Sequence, residues 1–391
     1  MPSFEVETLP NDRRVILLGG LSLLLMGVCL PGCAPPSDVN PDTGNPVPQR
    51  LELVSEWGCL DCTGPELLTP FFITMTSEGI LYELDWYEPF VRVFDREGAP
   101  LLGFGEKGEG PGQLGSSVPG AYIPGFAAWP DEDGSILVFQ PMPAVITRFS
   151  AEGEYLEELA LEAPRGIPMN FAYDARRRSF LLVTGATADP AISRFELGGP
   201  NPTEAVALLT DPENLPRRGD DPQRAAASFA FAATPDGGFI IGDTWRYEIR
   251  VFDSGGQPTG AFGRDIARPS KTEEEIEEAL ANATTESRRE RAQDPEKHHF
   301  GQHSFRYDDS GHLWVATGRS TASVTVFDIF GPEGEFLGEL EIEAELKDRR
   351  GRGEAYGAFA VSGGHLAAVT VHDSGNDQIK VWRLVYSEDA R

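Results

Sequence analysis

Ala230-Phe231-Ala232-Ala233, Pro235-Asp236-Gly237-Gly238, Phe239-Ile240-Ile241-Gly242-Asp243, Ile249-Arg250-Val251-Phe252-Asp253 and, after Gly255-Gly256, Thr259-Gly260-Ala261-Phe262-Gly263 follow one another along a single stretch of this chain. Four short apolar runs are separated by three breaks, two of them glycine-rich tips. Asp-Gly and Gly-Gly tips mark hairpins because such turns need a positive φ, which glycine adopts without a Cβ clash. The stretch therefore predicts four antiparallel strands joined in sequence.

The third of these runs recurs. Val91-Arg92-Val93-Phe94-Asp95 leads to Gly98, and Val324-Thr325-Val326-Phe327-Asp328 leads to Gly331. Weaker copies are Val145-Ile146-Thr147-Arg148-Phe149 before Gly153, Ile192-Ser193-Arg194-Phe195 before Gly198, and Ile379-Lys380-Val381-Trp382. The six starts are 54, 47, 57, 75 and 55 residues apart. A period of this length indicates radial repetition of a four-stranded unit. The same plan fits Phe126 to Leu161 with its Asp133-Gly134 tip, His303 to Ile342 with Ser310-Gly311, and Phe359 to Val385 with Gly363-Gly364. The first unit begins near Phe71 and turns at Glu78-Gly79, and the last has only three strands. Its fourth is expected from the other end of the chain, Arg50-Leu51-Glu52-Leu53-Val54-Ser55, which closes the ring and removes open edges. The expected fold is all-β, a six-bladed β-propeller of four-stranded antiparallel blades spanning residues 51–388.

The 75-residue interval holds an insertion, residues 264–302. Thr272-Glu273-Glu274-Glu275 has the form of a capping box, acids fill the first turn, and Arg288, Arg289 and Arg291 lie at the far end, which suits a helix dipole. One helix is expected there, docked through Ile276 and Leu280.

The 391 residues carry 62 acids against 33 Lys and Arg, a net charge of −29. Removing residues 1–32, with three acids and two arginines, leaves −28. Such a field repels phosphate backbones, so nucleic acid is not an expected partner. Arg13 and Arg14 precede an apolar run from Val15 to Leu30 that ends at Pro31, too short to span a bilayer. Residues 1–32 are read as a signal peptide. Leu30-Pro31-Gly32-Cys33 resembles the bacterial lipobox, which implies acylation of Cys33, an outer-membrane destination with Ala34 next to it, and a Pro-rich tether over residues 33–50. Simple secretion is the alternative. Cys59 and Cys62 form a C-x-x-C pair. In an exported chain a local disulfide leads over redox chemistry, and zinc would need two further ligands.

Phe94-Asp95-x-x-Gly98 followed by Leu101-Leu102-Gly103-Phe104-Gly105-Glu106-Lys107-Gly108-Glu109-Gly110-Pro111-Gly112-Gln113-Leu114 resembles an NHL-type repeat, echoed at Val251 to Gly263 and more loosely at Val326 to Gly338. The resemblance is to six-bladed propeller lipoproteins. It implies shape and location more than a reaction.

Candidate chemistry is sparse. Gly103 to Gly108 satisfies G-x-G-x-x-G, but Gly110-Pro111-Gly112 follows where a helix N-terminus is required, so an inter-blade connection is expected. Asp131-Glu132-Asp133-Gly134 and Asp308-Asp309-Ser310-Gly311 lack EF-hand ligand spacing and are read as hairpin turns. His298, His299 and His303 are half of all the histidines, and they are the candidate metal ligands of an alternative function, a metal-dependent NHL-like hydrolase or lyase with its site on a propeller face. No G-x-S-x-G nucleophile elbow occurs. The leading expectation is a monomeric envelope scaffold, binding an unidentified envelope protein or small ligand without catalysis. It has no catalytic residue and no cofactor, with axial calcium or zinc as the option left open.

Overall fold

Each blade is assembled around one aromatic side chain. Phe94, Phe149, Phe195, Phe252, Phe330 and Trp382 pair across the third and second strands with Leu81, Ile136, Phe180, Phe239, Leu313 and Leu366. All twelve are buried. Burying one such ring is worth about 1.5–3 kcal/mol, which is why this position repeats when most others drift. The computed structural model describes residues 47–386 except 59–66, 68, 109, 119–120, 124–126, 142–143, 162–169, 185–190, 200–205, 209–228, 282, 322 and 348–357. Residues 42–391 form one unit that contains all of them.

From the innermost strand outward, blade 1 is Pro70–Met75, Leu81–Asp85, Val91–Phe94 and Pro100–Phe104. Blade 2 is Ala127–Pro130, Ile136–Pro141, Ala144–Phe149 and Tyr155–Ala160. Blade 3 is Asn170–Asp174, Ser179–Thr184, Ala191–Glu196 and Ala207–Leu208. Blade 4 is Phe229–Ala233, Phe239–Asp243, Glu248–Phe252 and Pro258–Gly263. Blade 5 is Phe300–Tyr307, Leu313–Thr317, Thr325–Phe330 and Phe336–Ile342. Blade 6 is Phe359–Ser362, His365–Val371, Asp377–Val385 and, from the other end of the chain, Arg50–Trp57. The closing strand runs antiparallel to Asp377–Val385, from Arg50 opposite Val385 to Trp57 opposite Ile379.

Six apolar clusters fill the six interfaces between neighbouring blades, the last joining blade 6 to blade 1 through Trp57, Ile73, Phe94, Val369 and Val381. Both faces of a blade are thus buried, so its second strand is largely apolar, with Glu83 and Asp85 in blade 1 as buried charged exceptions. The 1–2 turns add polar latches on the hairpin face. Arg178 of blade 3 chelates Asp131 of blade 2, Arg194 of blade 3 donates to the Gly237 carbonyl of blade 4 at 2.9 Å, and Ser362 of blade 6 donates to Asp309 of blade 5 at 2.7 Å. The acidic tips at Asp131 and Asp308 are hairpin turns, as expected, closed by Gly134 and Gly311.

Two expectations are amended. In blade 5 the Phe327-Asp328 pair is not the counterpart of Phe94-Asp95. The strand register and the turn Gly331 to Glu335 place Phe330-Gly331 there, three residues on, with Gly334 at φ +84° as the turn glycine. Asp328 therefore lies inside the strand. There it accepts from Tyr247, Arg264 and Arg319, while Glu339 accepts from the same two arginines at 2.6 and 2.8 Å. The helical insertion is present, but its helical turns fall into two runs, α1 Glu273–Ala281 and α2 Glu286–Ala292. Between them stand Asn282, Thr284 and Thr285, residue types that favour caps over helix interiors. The capping box forms in both directions, Thr272 N–H to Glu275 at 2.8 Å and Glu275 N–H to the Thr272 hydroxyl at 3.1 Å. No residue of α1 is buried, so this helix rests lightly, held by Lys297 bound to Glu275 and to the Ser320 carbonyl.

Candidate functional site on the ring axis

The innermost strands of the six blades line the ring axis. One register position can be followed around the ring, the innermost-strand residue paired one place beyond the buried aromatic pair. It holds Thr74, Trp129, Ala172, Ala232, Arg306 and Ala360 in blades 1 to 6. Four are small. Trp129 and Arg306 are long, and they stand in blades 2 and 5, opposite one another in a ring of six.

The innermost strand of blade 5 departs from the others just before Arg306. Phe300 pairs with Thr317 and Phe305 with Val315, so five steps along one strand oppose two along the other. The three surplus residues, Gln302-His303-Ser304, form an excursion closed by a bond from Gly301 N–H to the Ser304 hydroxyl at 2.8 Å. Such bulges re-aim side chains. This one brings the His303 ring to 5.8 Å from the Phe171 ring of blade 3, a contact that skips blade 4 and is reached across the axis. Gln302, His303 and Ser304 are all buried.

Arg306 lies below the excursion. Its Nε donates to the Phe359 carbonyl at 3.0 Å, and Nη1 donates to the carbonyls of Phe305 at 2.7 Å and His303 at 3.3 Å. None of these bonds uses Nη2. The guanidinium carbon stands 5.3 Å from the Phe359 ring and 5.8 Å from Phe72 of blade 1, the latter skipping blade 6. Burial pulls its pKa down to about 10, so it stays charged at neutral pH. The facing side of the channel is aromatic: Trp129 packs edge-on against Phe72 and Phe171, each at 5.8 Å. A fixed cation opposite an aromatic wall can orient a flat ligand and hold one charged group.

The three candidate histidines have different surroundings. His298 shares a hydrogen bond with the Thr244 hydroxyl at 2.8 Å and packs on Trp245 at 4.5 Å. His299 is buried against Tyr247 at 5.3 Å, and burial with the nearby charges of Arg268 and Arg319 holds its pKa down to about 4. His303 alone reaches the axis. His299 stands just before the strand and His303 within its excursion, and their rings pack on different partners, Tyr247 and Phe171, so the i, i+4 spacing does not bring them together. Among the described residues no group of three or more His, Cys, Asp and Glu is gathered as metal ligands. Cys33, Cys59, Cys62 and residues 1–46 lie outside the described residues. Arg306 and Trp129 were not among the sequence candidates. Only the strand register sets these two bulky residues at a position where the other blades carry Thr or Ala.

The G-x-G-x-x-G stretch is an inter-blade connection. Glu106–Lys107 pairs with Gln113–Leu114, and Leu114 is buried where a nucleotide-binding loop would open a helix.

No family model matches the chain, and no curated protein matches it. Several solved structures are similar to it over most of the chain. A putative exported protein of Bacteroides fragilis is 11% identical over 90% of this chain and 98% of its own, with a TM-score of 0.47. A protein of unknown function from Bacteroides thetaiotaomicron is 10% identical over 85% and 74%, with a TM-score of 0.49. A catalytically inactive virginiamycin B lyase of Staphylococcus aureus, with quinupristin, is 11% identical over 86% and 100%, with a TM-score of 0.42.

Proposed function

We propose that this chain is an exported, lipid-anchored propeller that binds a small ligand on its ring axis and carries out no reaction of its own. The observation that supports this most is the excursion Gln302-His303-Ser304. A strand that need only fill the ring has no use for three extra residues, and here they are buried at the axis beside a charged arginine and facing an aromatic wall. Rigid blades hold such a site in place at small entropic cost on binding. Export and anchoring rest on Arg13, Arg14, the apolar run Val15 to Leu30 and the lipobox-like Leu30-Pro31-Gly32-Cys33. Among the described residues no helix is long and apolar enough to cross a membrane.

The test is thermal unfolding of the purified protein against a panel of small molecules. At least one class should raise Tm saturably, and deletion of Gln302–Ser304 should abolish the rise in a protein that still folds. The reading fails if no compound moves Tm, or if the deletion variant responds equally. Stoichiometric zinc or calcium, lost on His303→Ala, would instead favour a metal-dependent hydrolase or lyase. For the anchor, Cys33→Ala should move the protein from the membrane fraction to the soluble one.

A further inference from the structure

The arginines of this protein have abundant partners, with 62 acids to 33 bases. Among the described residues, Arg92, Arg148, Arg178, Arg194, Arg250, Arg264, Arg268 and Arg319 are each partly or wholly buried, and each has a carboxylate within 4 Å. Among the described residues Arg306 has no carboxylate, only backbone carbonyls and the Phe359 and Phe72 rings. A buried cation held by neutral acceptors alone keeps much of its desolvation cost uncompensated, and the missing element is an anion.

We propose that Arg306 is the charge-recognition element of the axial site, and that the ligand is an organic anion. Its carboxylate pairs with the Arg306 guanidinium and its flat apolar body lies toward Trp129, Phe72 and Phe171. The other four residues at the Arg306 level, Thr74, Ala172, Ala232 and Ala360, are small. The aromatic wall excludes a strongly hydrated body, and the free Nη2 supplies a donor for a second carboxylate oxygen. The protein's net charge of −29 opposes an anion at long range. That field is screened within about 8–10 Å at physiological salt, so the local contact decides.

This inference rests on the axial-binding reading, and the experiment separates the two. The full-length protein, purified in detergent, is titrated calorimetrically with 2-naphthoate, its neutral isostere 2-naphthamide, and acetate. Naphthoate should bind one to one, at least about tenfold tighter than either of the others. Arg306→Gln should weaken naphthoate to the level of naphthamide, with Arg306→Lys in between. If naphthoate and naphthamide bind wild type alike, and Trp129→Ala abolishes both, the axial reading stands and the anion assignment falls. If neither binds, both fall. Should Arg306→Gln not fold, the charged and neutral probes on the wild-type protein decide alone.

Discussion

Two side chains carry chemistry that their neighbours do not absorb. Glu83, in the second strand of blade 1, is completely buried, and neither carboxylate oxygen has a hydrogen-bond partner. Burial, with Asp85 beside it, drives its pKa well above the usual carboxylate range against the opposing pull of Arg92 and Lys347. A carboxyl whose folded pKa is raised is penalised increasingly as pH climbs above the unfolded value near 4.5. Glu83→Met should therefore stabilise the protein at pH 7 by roughly 1–2 kcal/mol, with the gain shrinking toward pH 4.5, as urea unfolding across that range would measure. His299 has the opposite consequence on acidification. Its folded pKa of about 4 lies below the ordinary 6.5, so between those values the unfolded chain takes up the proton and the folded one does not. Stability falls as pH drops from 6.5 to 4, by up to about 1.4 kcal/mol per unit. His299→Gln should flatten that slope and leave the pH 7.5 stability within about 1 kcal/mol, a result read from the same unfolding series.

The outermost strands share a device. In blades 1, 2, 4, 5 and 6 the ladder between the third strand and the outermost one slips by one residue at the buried aromatic, leaving Leu101, Leu156, Thr259, Leu337 and Val54 as the surplus residues. Bulges twist an edge strand away from straight pairing, which protects a ring of exposed edges from adding to another molecule. Blade 3 uses a different protection, an outermost strand of only two residues, Ala207–Leu208. Deleting Leu156 removes one bulge while keeping its flanking residues in register. The variant should fold with stability within about 1 kcal/mol of wild type yet associate with rising concentration, which sedimentation velocity would detect. The turns next to these bulges are fitted as closely. Gly98 has φ +87°, and a Cβ there would stand 2.6 Å from the Trp57 ring of the closing strand. The Phe-Asp-x-x-Gly phrase is thus a packing requirement between blades as well as a turn signal.

Closure of the ring depends on residues far apart in the chain. Trp57, at the end of the closing strand, is 1% exposed and packs on Phe94 of blade 1 at 5.6 Å, so one side chain joins the last blade to the first. Trp57→Ala should cost about 3–5 kcal/mol, read from chemical denaturation. A loss below about 1 kcal/mol would mean that the joint contributes little to the closed ring. The axial site depends on the same closure, because Arg306 of blade 5 reaches Phe359 of blade 6 and Phe72 of blade 1 only when the ring is complete.

The local features were legible from residues alone. Hairpin tips and the capping box at Thr272 depend on neighbours a few positions away, and they form where the pattern placed them; the closing strand also forms as expected, although its partners lie at the other end of the chain. The blade 5 register was misplaced by three residues because Phe327-Asp328 matches the repeat phrase by type. Only pairing with Leu313 shows that Phe330 takes the core position. The site was hidden for a related reason. Arg306, Trp129 and the surplus Gln302-His303-Ser304 are unremarkable in a linear reading, and they acquire a role only when six strands converge on one axis. Short-range backbone and hydrophobic preferences thus determined the blades, whereas the meeting of a cation with an aromatic wall across the channel is a contact between distant segments that only the closed tertiary structure decided.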